Sequence, residues 1–196
     1  MLSSQGAVSS EKSPNQKKGV VVSGPYNIMS TDLNTFLNDF EGSINSARAK
    51  LREISEADAR VGGEHGKWSP KQIVGHLIDS AANNHQRFVR AQFTSDLVFA
   101  GYEQEDWVKA QRYNDEPWLQ LVDLWANYNL HLVHLISVIP TETLTQQRTN
   151  HNLDQIAWQT VSRSQPTTLE YFVRDYVGHM HNHLRQILGE KFSQES

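Results

Sequence analysis

Apolar side chains recur every three or four positions in four separate stretches of the chain, and this spacing predicts four amphipathic helices. The first helix is expected to begin with an N-cap at Ser30 or Thr31 and to bury a face rich in Leu, Phe and Ile. The second begins at Ser69, where Pro70 takes the first helical position and Gln72 completes a capping box.

The third and fourth helices are bounded by residues that start or stop helices. The third runs from near Pro117 to a residue before Pro140, because proline cannot continue a helix. The fourth is expected to start at Thr167, with Glu170 completing a second capping box, and to end at Gly189. These elements predict an all-α four-helix bundle. The first connection has about 15 residues, and the two later ones each have more than 20. Connections of this length are long for simple hairpins.

One domain is expected from 196 residues, which suffice for one hydrophobic core but are few for two. Residues 1–25 are polar and rich in Ser and Lys, so we predict a disordered tail there and the bundle domain in residues 26–196. The longest apolar runs have only a few residues, far from the roughly 20 that cross a bilayer, and the N-terminus lacks a secretory pattern. We therefore expect no membrane partner and a cytoplasmic location.

Net charge and cysteine content exclude several partners and several kinds of metal ligand. The formal net charge of -4 and the sequence pI of about 6.1 leave no basic excess for phosphate contacts, so nucleic acid is not an expected partner. The chain has no cysteine, which excludes disulfides, thiolate metal ligands and cysteine nucleophiles. Any metal must therefore be held by nitrogen and oxygen ligands.

Three of the nine histidines are candidate metal ligands. His179 and His183 are four residues apart, so they share the apolar face of the fourth helix. His76 lies on the inward face of the second helix, and histidines from facing helices commonly build a metal site in a bundle core. A histidine pair at this spacing also occurs by chance, and an inward histidine can be a hydrogen-bonded core residue. His181 is expected to point away into solvent.

The remaining histidines are expected to have other roles. His85 is assigned to the surface or rim, and His131 and His134 to packing or rim positions on the third helix. His65 and His151 lie in predicted loops, and the sequence assigns them no role. The segment between His179 and His183 supplies no glutamate, so an HExxH protease motif is absent.

Two motifs resemble a known family. WSPKQIVGHLIDSAANNHQRF, from Trp68 to Phe88, and YFVRDYVGHMHNHLRQI, from Tyr171 to Ile187, are similar to the DinB/YfiT-like superfamily of metal-binding four-helix bundles. The resemblance spans about residues 30–190 and implies that His76, His179 and His183 hold one divalent metal ion. Zinc is the first choice by abundance, and nickel, iron or manganese would also suit nitrogen ligands.

Three histidine ligands leave coordination positions open, as in catalytic sites. The resemblance implies a thiol-dependent S-transferase, in which a metal-bound low-molecular-weight thiol attacks an electrophile, or a metal-dependent hydrolase of small esters or amides. The third alternative is a non-catalytic, metal-stabilised binding or dimerisation module, and a homodimer is compatible with each reading. We favour the transferase, because no carboxylate is evidently placed as a general base.

Asp79 is the nearest candidate for such a carboxylate. It lies one helical turn after His76, so it could act as a base or accept the spare ring hydrogen of a ligand histidine. A solvated helix carboxylate is the alternative for this residue.

Overall fold

Four long helices form the core of the computed structural model: α1 (Leu33–Arg52), α3 (Pro70–Arg90), α5 (Trp118–Ser137) and α8 (Leu169–Leu188). The structure describes residues 32–63, 67–189 and 192, so the predicted tail at residues 1–25 and His65 lie outside it. The described residues contain three isolated β-bridges and no strand. The predicted all-α fold is confirmed.

The start of α3 follows its sequence signals closely. The Ser69 hydroxyl accepts a hydrogen bond from the Gln72 backbone N–H at 3.2 Å, and the Gln72 side chain accepts one from the Ser69 N–H at 3.0 Å. Pro70 occupies the first turn, where its missing N–H costs nothing. This capping box fixes the position from which His76 projects two turns later.

Two of the predicted helix starts are wrong by one or two residues. α1 has Asp32 as its N-cap rather than Ser30 or Thr31, which lie outside the described residues. α8 is capped by Thr168, whose side chain accepts from the Tyr171 N–H at 3.0 Å. Thr167 lies just before the helix, where its backbone is paired with Arg148 in an antiparallel bridge.

The predicted second capping box is therefore absent. Glu170 instead forms an ion pair with Arg174, one turn further along α8, at 2.7 Å. The predicted C-terminal cap is confirmed, since Gly189 ends the helix with a positive φ of 72°.

Large apolar side chains from all four long helices fill the core. α5 packs against α1 and α3, and α8 packs against α3 and α1. The largest fully buried side chains include Trp118, Trp125, Phe40, Phe88 and Phe172. Burying each side chain of this kind contributes on the order of 1.5–3 kcal/mol.

The long connections carry the short elements, which are α2 (Glu56–Ala59), α4 (Gln104–Gln111), a 3-10 turn (Tyr113–Asp115), α6 (Thr141–Thr145) and α7 (Leu153–Ile156). The connections before α5 and before α8 are joined to each other. Leu97 N donates to Asn150 O at 3.0 Å, and Asn152 N donates to Leu97 O at 3.2 Å. This pairing holds the two connections together beside α3 and α8.

A buried lysine joins α2, α3 and the segment before α5. The Lys71 ammonium donates to the Glu56 carboxylate and to the backbone oxygens of Asn114 and Glu116. The hydrogen bond from Lys71, with a second from the Trp118 N–H, lowers the pKa of Glu56 to about 2.

None of the helices in the described ranges is both long and apolar enough to cross a lipid bilayer.

Candidate metal centre

Three histidine rings meet where α3 faces α8. His76 projects from α3, and His179 and His183 project from successive turns of α8. One ring nitrogen from each histidine lies within 4.8 Å of the others, and the Nε2 atoms of His76 and His179 are 3.3 Å apart. The ring centroids are separated by 4.6–5.2 Å. The structure thus brings together all three histidines singled out from the sequence.

Burial keeps these imidazoles neutral at pH 7. Burial, and then the nearby His183, lower the pKa of His76 to about 3. The pKa of His179 falls to about 3 for the same two reasons, with a further contribution from His76. Burial also lowers the pKa of His183. A neutral imidazole has one nitrogen lone pair, so each ring can act as a ligand.

One nitrogen–nitrogen separation in the cluster matches that expected for a small divalent ion. Two nitrogens bound at about 2.0–2.1 Å in a tetrahedral arrangement would be about 3.3 Å apart, which is the separation of the His76 and His179 Nε2 atoms. His183 donates from Nδ1 to the side-chain oxygen of Gln186 at 3.1 Å, because an amide oxygen only accepts. That hydrogen bond leaves the His183 Nε2 lone pair free for an ion, as partners of ligand histidines commonly do.

Asp79 is buried rather than solvated, and its hydrogen bonds come from residues other than the histidines. Its Oδ1 accepts hydrogen bonds of 2.7 Å from the Tyr113 hydroxyl and from the Gln111 side chain. Its Oδ2 and the Nδ1 of His76 are both buried without a hydrogen-bond partner. Burial raises the pKa of Asp79. In this structure the carboxylate thus orients Tyr113 and Gln111, and a role as base or histidine partner stays a prediction.

A cavity of about 360 Å³ adjoins the histidines. This volume is at the lower end of the range for small-molecule sites. The walls come from α3, α8 and the two long connections, and the lining includes His76, Ser80, Asn84, Arg87, Tyr102, Gln104, Gln155, Trp158, Phe172, Asp175, Tyr176 and His179. A small ligand in this cavity would therefore lie beside two of the three histidines.

Asp175 is a functional candidate that the sequence analysis missed. Its carboxylate lines the cavity and accepts the backbone N–H groups of Trp158 at 2.9 Å and Gln159 at 2.7 Å. Burial raises the pKa of Asp175 to about 6, even though these two hydrogen bonds act in the opposite direction. One sequence signal was present, because Asp175 lies four residues before His179 and so on the same helix face.

A glycine precedes two of the three histidines, and an aromatic ring lies on each glycine. A Cβ on Gly75 would lie 2.1 Å from the ring of Tyr113, and one on Gly178 would lie 3.1 Å from the ring of Trp158. Tyr113 is buried, whereas Trp158 is 41% exposed. The absence of a side chain at these positions lets residues of the connections pack directly against the helices that carry the ligands.

His181 does not point into solvent as predicted. It is partly buried, shares a hydrogen bond of 3.0 Å with the Ser43 hydroxyl and packs edge-on against Phe192. Burial lowers its pKa to about 4. The prediction failed because α8 is covered on this side by α1, which the helical spacing alone could not reveal.

The other described histidines lie outside the three-histidine cluster. His85 is partly buried beside Tyr128, and its ring is 5.1 Å from that of His131, which is exposed, as is His134. His151 is buried in a connection, where its Nε2 donates to Gln165 O at 2.8 Å.

The fold has a counterpart among solved structures. YfiT from Bacillus subtilis, described as a probable metal-dependent hydrolase with an unusual four-helix bundle topology, aligns with 80% of this chain and 87% of its own, at a TM-score of 0.60. The chain has the YfiT fold. The four-helix bundle predicted from the spacing of apolar residues is thereby confirmed. Sequence identity to YfiT is 16%, so the likeness concerns the YfiT fold alone. No family profile and no curated protein sequence matches the chain.

Proposed function

We propose that this protein is a metal-dependent enzyme in which His76, His179 and His183 hold one divalent ion, with zinc as the first candidate. The observation that carries the proposal is the convergence of three neutral nitrogen donors beside a cavity of small-molecule size. When bound there, a divalent ion would acidify a thiol or a water in the cavity.

For the reaction, we propose a thiol-dependent S-transfer. The thiol releases its proton to solvent, its sulfur forms a bond to an electrophilic carbon of the second substrate, and the bond from that carbon to the leaving group breaks, with its electrons departing on the leaving group. This reaction needs no protein base once the thiol is a thiolate. Among the described residues, Asp79 and Asp175 lie near the site, and both already hold neighbouring groups. Asp79 binds Tyr113 and Gln111, and Asp175 binds two backbone N–H groups.

Hydrolysis of a small ester or amide is the second candidate, and Asp175 favours it. A carboxyl group with a pKa of about 6 in the lining of the cavity has the properties of a general base near neutral pH. YfiT, which shares the fold, is described as a probable metal-dependent hydrolase. In this reading Asp175 would take a proton from the attacking water.

The metal site is tested by elemental analysis of the purified, untagged protein by plasma mass spectrometry. We expect near-stoichiometric metal in the wild type and strong loss in His183→Ala. His134→Ala is the matched control, because His134 is an exposed histidine of another helix and should leave the metal content unchanged. Absence of metal from the wild type, even after reconstitution with zinc, nickel, iron or manganese, would refute the proposal and leave a helical binding or dimerisation module.

The reaction class is tested on the metal-loaded protein. S-transfer predicts thiol consumption when a small thiol is supplied with an aromatic halide, and hydrolysis predicts nitrophenol release from a nitrophenyl ester without thiol. Asp175→Asn separates the two reactions further. It should abolish ester hydrolysis if Asp175 is the base, whereas S-transfer should change far less. A loss of thiol transfer as large as the loss of hydrolysis would contradict this assignment.

A further inference from the structure

A buried arginine lies at the end of the cavity away from His76. Arg87 follows His76 by eleven residues on α3, and Ser80 and Asn84 lie between them in the cavity lining. Steps of four, four and three residues keep all four side chains on one helix face. Eleven residues of α-helix rise about 16 Å, so the cavity runs along α3 with the histidines at one end and the guanidinium at the other.

The guanidinium of Arg87 has no acidic partner among the described residues. Arg87 is 6% exposed, and its hydrogen bonds go to Ala100 O at 2.8 Å and to the Asn84 side-chain oxygen at 3.4 Å. The ring of Phe172 lies 5.9 Å from it. These bonds use two of the five N–H donors of a side chain that stays charged in proteins. A buried charge of this kind is costly unless an opposite charge compensates it.

The other charged residue in the lining does not neutralise Arg87. Asp175 lies on α8, and its two oxygens accept the backbone N–H groups of Trp158 and Gln159. No ion pair joins Asp175 to Arg87 in the described part of the chain, where every ion pair involves other residues. The lining histidines are neutral. The cavity thus offers a cation whose remaining donors are free for an anion.

From this arrangement we infer that Arg87 binds the carboxylate of a small ligand whose other end reaches the three-histidine site. The inference rests on the proposed function and names its substrate class, a low-molecular-weight thiol with a carboxylate remote from its sulfur. A guanidinium can hold a carboxylate through two parallel hydrogen bonds. The ligand must be shorter than the helix rise between His76 and Arg87, since both side chains extend into the cavity.

Isothermal titration calorimetry on the zinc-loaded protein tests the inference with mercaptopropionic, mercaptohexanoic and mercaptooctanoic acid, each beside its neutral amide. One acid of suitable length should bind on the order of 10- to 100-fold more tightly than its amide, the contribution of a charge-assisted hydrogen bond. Arg87→Met should abolish this preference. The matched control is Arg90→Met, which removes an exposed arginine from the same helix and should keep the preference.

The outcomes distinguish the two proposals. Acids and amides that bind the wild type equally, or a preference that survives Arg87→Met, would overturn the role of Arg87 and leave the metal site standing. Simple alkanoic acids and their amides, titrated into metal-free protein, test Arg87 without the metal. If they show the acid preference while no thiol binds the zinc-loaded protein, the carboxylate site is supported and the thiol-dependent function fails.

Loss of Arg87 also removes its hydrogen bond to Ala100, so the fold of Arg87→Met is checked by circular dichroism. Should that variant fail to fold, the wild-type comparison of acids with amides still decides, because it needs no substitution. Raising the ionic strength should weaken acid binding more than amide binding, and equal weakening would count against the inference.

Discussion

The glycine before His76 gives the sharpest test of how the site is held. Gly75→Ala would place a Cβ 2.1 Å from Cδ2 and 2.2 Å from Cγ of Tyr113. These atoms belong to a ring that is 4% exposed and whose hydroxyl donates to Asp79 at 2.7 Å. Cγ is the ring carbon bonded to the Tyr113 Cβ, so the ring cannot avoid this contact by moving only its far end.

Two effects of Gly75→Ala destabilise the fold and one stabilises it. Overpacking in a core costs about 1–3 kcal/mol. Moving Tyr113 also weakens its hydrogen bond to the Asp79 carboxylate, worth about 1.5–3 kcal/mol for a charged acceptor. Alanine in place of glycine within a helix returns about 1 kcal/mol. We therefore expect Gly75→Ala to lower the free energy of unfolding by about 1.5–5 kcal/mol.

Two matched glycines make the test specific. Gly178→Ala meets the ring of Trp158 at 3.1 Å, but this ring is 41% exposed and can move outward. The helix gain and the small shift should nearly cancel. Gly42→Ala meets nothing within 4 Å on the exposed face of α1, so it should stabilise the protein by up to about 1 kcal/mol.

The assay is urea denaturation of the metal-free protein followed by far-ultraviolet circular dichroism, for the wild type and the three variants. Metal-free protein separates packing from any change in metal affinity. If Gly75→Ala were as stable as the wild type while Gly42→Ala gained stability as expected, the close packing of Tyr113 on α3 would be refuted.

Three further predictions concern contacts in the core, at the start of α3 and beside the proposed metal site. Tyr176→Phe should cost about 1–3 kcal/mol in chemical denaturation, because it leaves the buried side-chain oxygen of Asn129 without its donor, and an unchanged midpoint would contradict this. Glu56→Gln should destabilise the protein above about pH 4.5. Because the folded pKa of Glu56 is about 2, its contribution is complete above the unfolded pKa of 4.5 and disappears as pH falls toward 2. Denaturation at several pH values should show that the difference in unfolding free energy between Glu56→Gln and wild type shrinks as the pH falls from 4.5 toward 2. The difference should be modest, because the Glu56 carboxylate is half exposed. Gln186→Leu should weaken metal affinity on the order of 10-fold in competition with a chelator, because His183 loses the partner that fixes its tautomer.

Local signals predicted most of the helical framework. Ser69, Pro70 and Gln72 form a complete capping box within four residues, so the start of α3 was readable from the sequence. The start of α8 was not, because Thr167 and Thr168 are equivalent as local signals. A bridge to Arg148, 19 positions earlier in the numbering, decides between them. Element ends depend on tertiary contacts wherever two capping residues are adjacent.

The contrast between local signals and tertiary contacts also explains which site residues could be predicted from the sequence. His179 and His183 are four residues apart, and His76 falls on the apolar face of its own helix, so helical spacing places all three on inward faces. The roles of Arg87 and Asp175 depend instead on Ala100, Trp158 and Gln159, which lie in the connections and reach the helices only through the fold. Hydrophobic spacing carries no information about such contacts.

A short sequence pattern occurs on both helices that supply the histidines. Val-Gly-His occurs at residues 74–76 of α3 and again at residues 177–179 of α8. In each case an aromatic residue of a connection lies on the glycine, and the same segment is hydrogen-bonded to an aspartate of that helix: Tyr113 to Asp79, and Trp158 to Asp175. Each helix that supplies a histidine is therefore fixed to a connection within one turn of its ligand.

This arrangement separates the proposed ligands of the ion from the walls of the cavity. The helices hold the three histidines, whereas the connections before α5 and before α8 supply much of the rest of the lining. Substitutions of lining residues in those connections that touch neither the glycines nor the aspartates, such as Gln104 and Gln155, can change cavity shape without disturbing the contacts that fix the two helices. It follows that substrate choice should vary with the long connections, and metal binding with α3 and α8.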